Sequence, residues 1–161
     1  MFTNGNAIIW VSLFPLTYLA HLAEEYLMGG GYSNYLLRRY SVELPPRRFL
    51  ILQSLGLSLM IAGAALAITL RFPVTMLAMF SAIIFGNSLV HIVRSIRDCT
   101  YTPGLLTAVI LWLPLSITTV TAIWQTASFA KLLFALLIGL IVNYVVELIT
   151  FQSRMEGPKM S

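Results

Sequence analysis

At 161 residues the chain is 58% hydrophobic and only 10% charged, with a mean hydropathy of +0.86, far more apolar than a soluble domain. A formal net charge of +4 and a pI near 9.5 call for no nucleic acid, because the basic residues divide unevenly between alternate connecting segments. The single cysteine, Cys99, permits no internal disulfide and implies no oxidising compartment.

Five apolar stretches follow one another, at about 6–28, 48–70, 73–97, 104–125 and 128–152. Each reaches the roughly 20 residues that cross a hydrocarbon core of about 30 Å. A soluble bundle would need charged outer faces, and these stretches are apolar nearly all round. The predicted fold is therefore all-α: a polytopic membrane protein, one integral membrane domain over residues 1–161, built as a bundle of five transmembrane helices. The first stretch does not read as a cleaved signal peptide, because Met1–Ala7 carries no Lys or Arg and the apolar run is long and contains Glu24 and Glu25. Gly29-Gly30-Gly31 ends helix one. Ser33 or Asn34 is placed to cap a short interfacial helix, Tyr35 to Tyr40, between helices one and two. Pro45-Pro46 sets up helix two, and Tyr101-Thr102-Pro103-Gly104 makes a tight loop before helix four.

Alternate loops set the orientation. The connection after helix one holds Arg38, Arg39, Arg47 and Arg48; Arg94 and Arg97 end helix three; Arg154 and Lys159 lie in the tail. The other side has only Arg71 and Lys131. The positive-inside rule then expects a multi-pass protein of the cell (inner) membrane, amino terminus outside and carboxyl terminus cytoplasmic.

Ionisable residues interrupt three of the five stretches: His21, Glu24 and Glu25 in the first, Asn87 and His91 in the third, Asn143 and Glu147 in the fifth. A charge in hydrocarbon costs roughly 2.5–3.5 kcal/mol on insertion scales, so such residues mark function. His21 lies three and four residues before the two glutamates, so all three share a helix face; Asn87 and His91 are i,i+4, as are Asn143 and Glu147. At 1.5 Å per residue all three clusters fall roughly 6–10 Å inside the cytoplasmic ends of their helices, which predicts one shared site in the inner half of the bilayer. Ala135, Gly139, Asn143 and Glu147 form a ridge at four-residue steps that suits close helix contact. Gln53, near the start of helix two, falls at a similar depth. Tyr101, Arg94, Asn143 and Gln53 are the candidate substrate contacts, though Arg94 also suits an inner-leaflet anchor and Asn143 a bond to a neighbouring helix.

Three motifs in order carry a resemblance: H-x-x-E-E at His21, Glu24 and Glu25; N-x-x-x-H at Asn87 and His91; Y-x-P-G at Tyr101, Pro103 and Gly104. In these the chain resembles the HXXEE-motif family of small bacterial integral membrane proteins, regarded as membrane enzymes with no assigned reaction. Glu147 lies outside the named motifs and rests on depth and spacing alone.

Two chemistries fit the cluster. In one, His21, Glu24, Glu25, His91 and Glu147 bind a divalent metal, for which imidazole and carboxylate suit Zn, Fe or Mn, with Asn87 or Asn143 as supporting donors. In the other, a buried glutamate keeps its proton and passes it to an apolar substrate, so that a metal-free isomerase or cyclase results. Either enzyme would act on membrane lipid or a small apolar molecule. A non-enzymatic subunit or a proton- or cation-conducting protein is the third possibility. The outer half offers a conduction path little beyond Ser116, Thr118, Thr119 and Thr121.

Overall fold

The computed structural model describes residues 4–69, 73–125 and 127–152, with the side chains of residues 4–7, 147 and 150–152 outside that description. Among the described residues all regular structure is helical: α1 (Asn4–Leu27), α2 (Tyr32–Tyr40), α3 (Pro46–Thr69), α4 (Pro73–Asp98), α5 (Leu105–Ile123) and α6 (Phe129–Gln152). The five long helices coincide with the five apolar stretches to within two residues at each end. Four of them, α3 to α6, are long and apolar enough to cross a membrane. α1 is as long as α3, at 24 residues, and carries the H-x-x-E-E motif in its second half.

Local chemistry explains the boundaries. Pro46 and Pro73 open α3 and α4, where the missing N–H of proline costs nothing and its fixed φ suits a first turn. The short helix α2 begins at Tyr32, three residues earlier than the sequence suggests, because Gly31 rather than Ser33 or Asn34 stands at its N-cap. Gly31 has φ 85° and ψ 152°, a conformation that glycine alone adopts cheaply.

α4 is the central element. It packs against α1, α3, α5 and α6 and is the most buried of the four apolar helices. The small-residue ridge of α6 lies against it: a Cβ on Gly139 would come within 2.5 Å of the Met79 carbonyl oxygen and 2.6 Å of the Ala82 Cβ. That approach is possible only without a side chain at 139. The core running from α1 to α6 contains Phe14, Met60, Leu77, Phe80, Trp112 and Ala135. A smaller core of Tyr32, Tyr35, Leu36, Val42, Leu44 and Phe49 holds α2 against the start of α3. The outer faces are apolar; Leu59 of α3, Phe134 and Ile141 of α6 are more than half exposed. So much exposed apolar area on a protein of this size points to lipid rather than water around it.

α5 is not a uniform α-helix. Ala108–Trp112 form a π-helical turn, closed by the Leu113 N–H on the Ala108 carbonyl oxygen. Pro114 follows directly. Its ring would clash with the carbonyl four residues earlier in a regular helix, and the widened turn removes that conflict. The same turn sets the direction of Trp112, which enters the site.

Candidate metal centre

Three helices bring the motif residues together. On α1, His21 and Glu25 are one turn apart and both face α4, where His91 meets them. The His21 Nε2 lies 3.6 Å from the Glu25 Oε1, and the His91 Nε2 lies 3.4 Å from the same oxygen. The two imidazole rings meet edge to face with centroids 5.0 Å apart. One ligand atom from each of the three residues lies within 4.8 Å of the other two. All three side chains are buried, His21 and His91 to 1% exposure.

The surroundings orient each group. The His21 Nδ1 is 2.7 Å from the Thr107 hydroxyl, which itself donates to the Gly104 carbonyl oxygen at 3.3 Å. Whichever of the two donates across the 2.7 Å contact, Thr107 fixes the plane of the His21 ring. The His21 Nε2 is buried and has no hydrogen-bond partner beyond its 3.6 Å approach to Glu25. Trp112 stacks on the His21 ring with centroids 3.7 Å apart. The other Glu25 oxygen, Oε2, accepts from the Gln53 Nε2 at 2.9 Å, and Tyr18 donates to the Gln53 Oε1. Gln53, placed near the cluster by depth alone, thus bonds directly to it.

Glu24 occupies a different setting. Its Oε1 accepts from the Gly104 N–H at 3.1 Å and the Leu106 N–H at 2.8 Å, and its Oε2 from the Thr107 N–H at 2.6 Å. Tyr101 also donates its hydroxyl to Oε1. These are the orphan donors at the start of α5. Burial, then the Glu24 carboxylate, push the Tyr101 phenol above its ordinary range, so it remains a donor at neutral pH. The Y-x-P-G motif therefore touches the site through Glu24. Its glycine has φ 96°, and a Cβ there would come within 2.7 Å of the His91 Cε1 and 2.8 Å of the His21 Cε1. Only a glycine lets the loop close over both rings.

Two further candidates, Arg94 and Asn143, make contacts of their own outside the triad. Arg94 is buried one turn after His91 and donates to the Tyr32 hydroxyl; the Tyr32 ring lies 6.0 Å from that of His91. Asn143 donates to the Ile83 carbonyl oxygen at 3.0 Å across the α4–α6 contact, the helix-to-helix bond named as its alternative role. Arg94 and Asn143 share a groove of about 370 Å³ with Gly86, Val90, Leu140 and Tyr144. Asn87 is partly buried one turn before His91. The Glu147 side chain lies outside the described residues.

Sequence reasoning missed Thr107, Trp112 and Tyr18. Thr107 and Trp112 sit beyond the motifs in an apolar stretch, and nothing in their spacing marks them. It also missed a third buried carboxylate, beside Glu24 and Glu25. Asp98, at the end of α4, accepts from the Tyr35 hydroxyl at 2.8 Å, from Tyr40, and from the Arg97 Nε at 3.1 Å, with the Arg39 Nε at 3.5 Å.

An all-helical chain with four helices fit to cross a membrane and a buried His–Glu–His group at one end defines the class: a helical membrane protein with an internal polar centre. The chain belongs to the family described as "Protein of unknown function with HXXEE motif", whose profile matches residues 12–119. The match takes in all three motifs and ends before α6, so Asn143 and Glu147 lie beyond it. No curated protein and no solved structure matches the chain.

Proposed function

We propose that the protein is an integral membrane enzyme in which His21, Glu25 and His91 hold one divalent metal ion, acting on a lipid-like or small apolar substrate. The observation that carries this reading is the spacing of the three ligand atoms. At 3.4 and 3.6 Å the nitrogen–oxygen separations exceed those of charge-assisted hydrogen bonds, which run about 2.7–2.9 Å. The three ligand atoms instead lie within 4.8 Å of one another, an arrangement that could hold an ion between them. The donor chemistry agrees. Two imidazoles that face one buried carboxylate oxygen are the donor types a divalent ion takes, and they suit Zn, Fe or Mn.

Three protein ligands leave a further coordination position. An ion so held supplies a Lewis acid and lowers the pKa of a coordinated water to about 7. Thr107 would fix the ring plane of His21, and Gln53, steadied by Tyr18, would fix Glu25, the supporting role that outer partners play at metal sites. Trp112 and Tyr32 would give the centre apolar walls that keep bulk water out.

The topology belongs to the same reading: five spans, with α1 added to the four apolar helices, the amino terminus outside, the carboxyl terminus cytoplasmic, α2 in the interface, and the centre in the inner half of the cell membrane. Arg38, Arg39, Arg47 and Arg48 are all exposed beside that end of the bundle, where they would meet anionic headgroups. Cysteines introduced at Asn4 and at Arg39, in a chain carrying Cys99→Ser, should label from opposite sides of the membrane; labelling from one side would remove the five-span topology.

Metal analysis of the protein purified in detergent without chelator tests the centre. One equivalent of ion per chain, lost in His21→Ala and His91→Ala while helicity is kept, is the expected result. If the ion is absent and Glu25→Gln alone abolishes turnover, the metal-free acid–base enzyme replaces this reading. Conduction is less favoured, because the Thr118 and Thr121 hydroxyls donate to carbonyls of their own helix and are exposed on its outer side.

A further inference from the structure

We infer that the two glutamates of the H-x-x-E-E motif divide the work, and that Glu24 is a positioning residue that clamps the Tyr101–Thr107 segment over the centre and sets His21 through Thr107. The inference rests on the metal-binding reading for its consequence and on geometry alone for its mechanism. Glu24 and Glu25 share the broad His21 face but point about 100° apart, and the position of α5 separates their partners. Glu25 faces the imidazoles, and Glu24 faces the start of α5. There it takes one hydroxyl and three backbone donors, from Tyr101, Gly104, Leu106 and Thr107. A carboxylate at a helix start satisfies orphan N–H groups and the positive end of the helix dipole together. Here the cap comes from another helix, so it also fixes α5 against α1.

The clamp reaches the centre along a short path. The Glu24 Oε2 holds the Thr107 N–H at 2.6 Å, and the Thr107 hydroxyl holds the His21 Nδ1 at 2.7 Å. The Glu24 Oε1 holds Gly104, whose Cα side lies against both histidine rings and the Glu25 Cγ. Release of Glu24 would therefore free the loop that covers the centre and the hydroxyl that fixes a ligand's ring plane.

Cobalt(II) titration of the full-length protein in detergent, followed by visible absorption, provides the test. Glu25→Ala should lose stoichiometric cobalt. Glu24→Ala and Thr107→Val should each keep one equivalent, with affinity lower by about tenfold to a hundredfold and with an altered spectrum. The double variant should bind no more weakly than the weaker single one, since both act through one chain of contacts. Glu24→Gln, which keeps one acceptor oxygen, should fall between wild type and Glu24→Ala and serves if the alanine variant does not fold. Loss of cobalt in Glu24→Ala as complete as in Glu25→Ala would make Glu24 a ligand and overturn the inference; so would wild-type affinity, or additive losses in the double variant. Hydrogen exchange separates the two readings. If the wild type binds no metal, the metal reading fails, yet the amides of Gly104, Leu106 and Thr107 should still exchange at least about tenfold faster in Glu24→Ala than in Glu25→Ala. Equal exchange would overturn the clamp itself.

Discussion

Two buried carboxylates stand near the same end of this bundle in opposite condition. Asp98 is saturated: two tyrosine hydroxyls and a guanidinium donate to it, and a second guanidinium lies within ion-pair distance. Glu25 is matched on one oxygen only. Gln53 donates to its Oε2 at 2.9 Å, whereas two imidazole nitrogens face its Oε1 at 3.4 and 3.6 Å. A saturated buried charge is a fastener, because every lone pair has a donor and nothing further is needed. A buried carboxylate opposed by an unpartnered imidazole nitrogen is balanced by a cation or a shared proton. Burial alone would have ranked the two clusters together; hydrogen-bond bookkeeping separates them.

The largest expected effect breaks the comparison outright if it fails. On the proposed metal reading, His21→Ala and His91→Ala should each reduce bound metal from one equivalent to less than about a tenth, measured by elemental analysis, because each would remove a direct ligand. Asp98→Asn should leave metal content unchanged. Loss of metal in Asp98→Asn as well would mean that the two clusters act as one.

Gly104→Ala comes next and strikes the side of the loop that rests on the centre. A residue with a Cβ at φ 96° carries about 1–2 kcal/mol of backbone strain, and the added carbon would lie 2.7 Å from one histidine ring and 2.8 Å from the other. Lower thermal stability together with weaker metal binding is expected. Lower stability with wild-type metal affinity would show that the loop covers the rings without influencing them.

The helices were legible in the sequence because a membrane span is a property of composition over some twenty residues, and the π-helical turn in α5 does not disturb that. The meeting of His21, Glu25 and His91 was legible as well. Helical spacing puts His21 and Glu25 on one face, and equal depth places His91 beside them. What spacing could not supply was the role of each oxygen. Glu24 and Glu25 are adjacent in a single motif, and only the position of α5 decides that one faces nitrogen and the other backbone N–H. Asp98 stayed hidden for the same reason: apart from Arg97, its partners come from α2, 58 to 63 residues earlier at Tyr40 and Tyr35, and a lone aspartate at a helix end looks solvated in sequence. The start of α2 was misplaced because a glycine cap leaves no side-chain signature of the Ser or Asn kind.

Asp98→Asn should register in stability rather than chemistry. The amide keeps one acceptor oxygen but turns an NH₂ toward donors, so the bonds from Tyr35 and Tyr40 to Oδ2 or those from the arginines to Oδ1 must be given up. A melting temperature lower by a few degrees, with α2 less protected from hydrogen exchange and metal retained, is expected. An unchanged melting temperature would remove Asp98 from the role of fastener.

The smallest effect concerns hydroxyls that resemble a polar path. Thr118 donates to the Pro114 carbonyl oxygen at 2.7 Å and Thr121 to the Ile117 carbonyl oxygen at 3.0 Å, and both side chains are exposed on the outside of α5. Such back-bonds satisfy the hydroxyl within its own helix, so the group meets lipid without needing water or a neighbouring chain. Thr118→Val and Thr121→Val remove that bond and its partner need together, leaving a side chain of the same shape. Their effect on stability should stay within about 0.5 kcal/mol, and neither metal content nor proton leak through reconstituted vesicles should move. A change in proton leak in either variant would show that these hydroxyls take part in conduction, and the polar centre would then be one station of a path rather than an enclosed site.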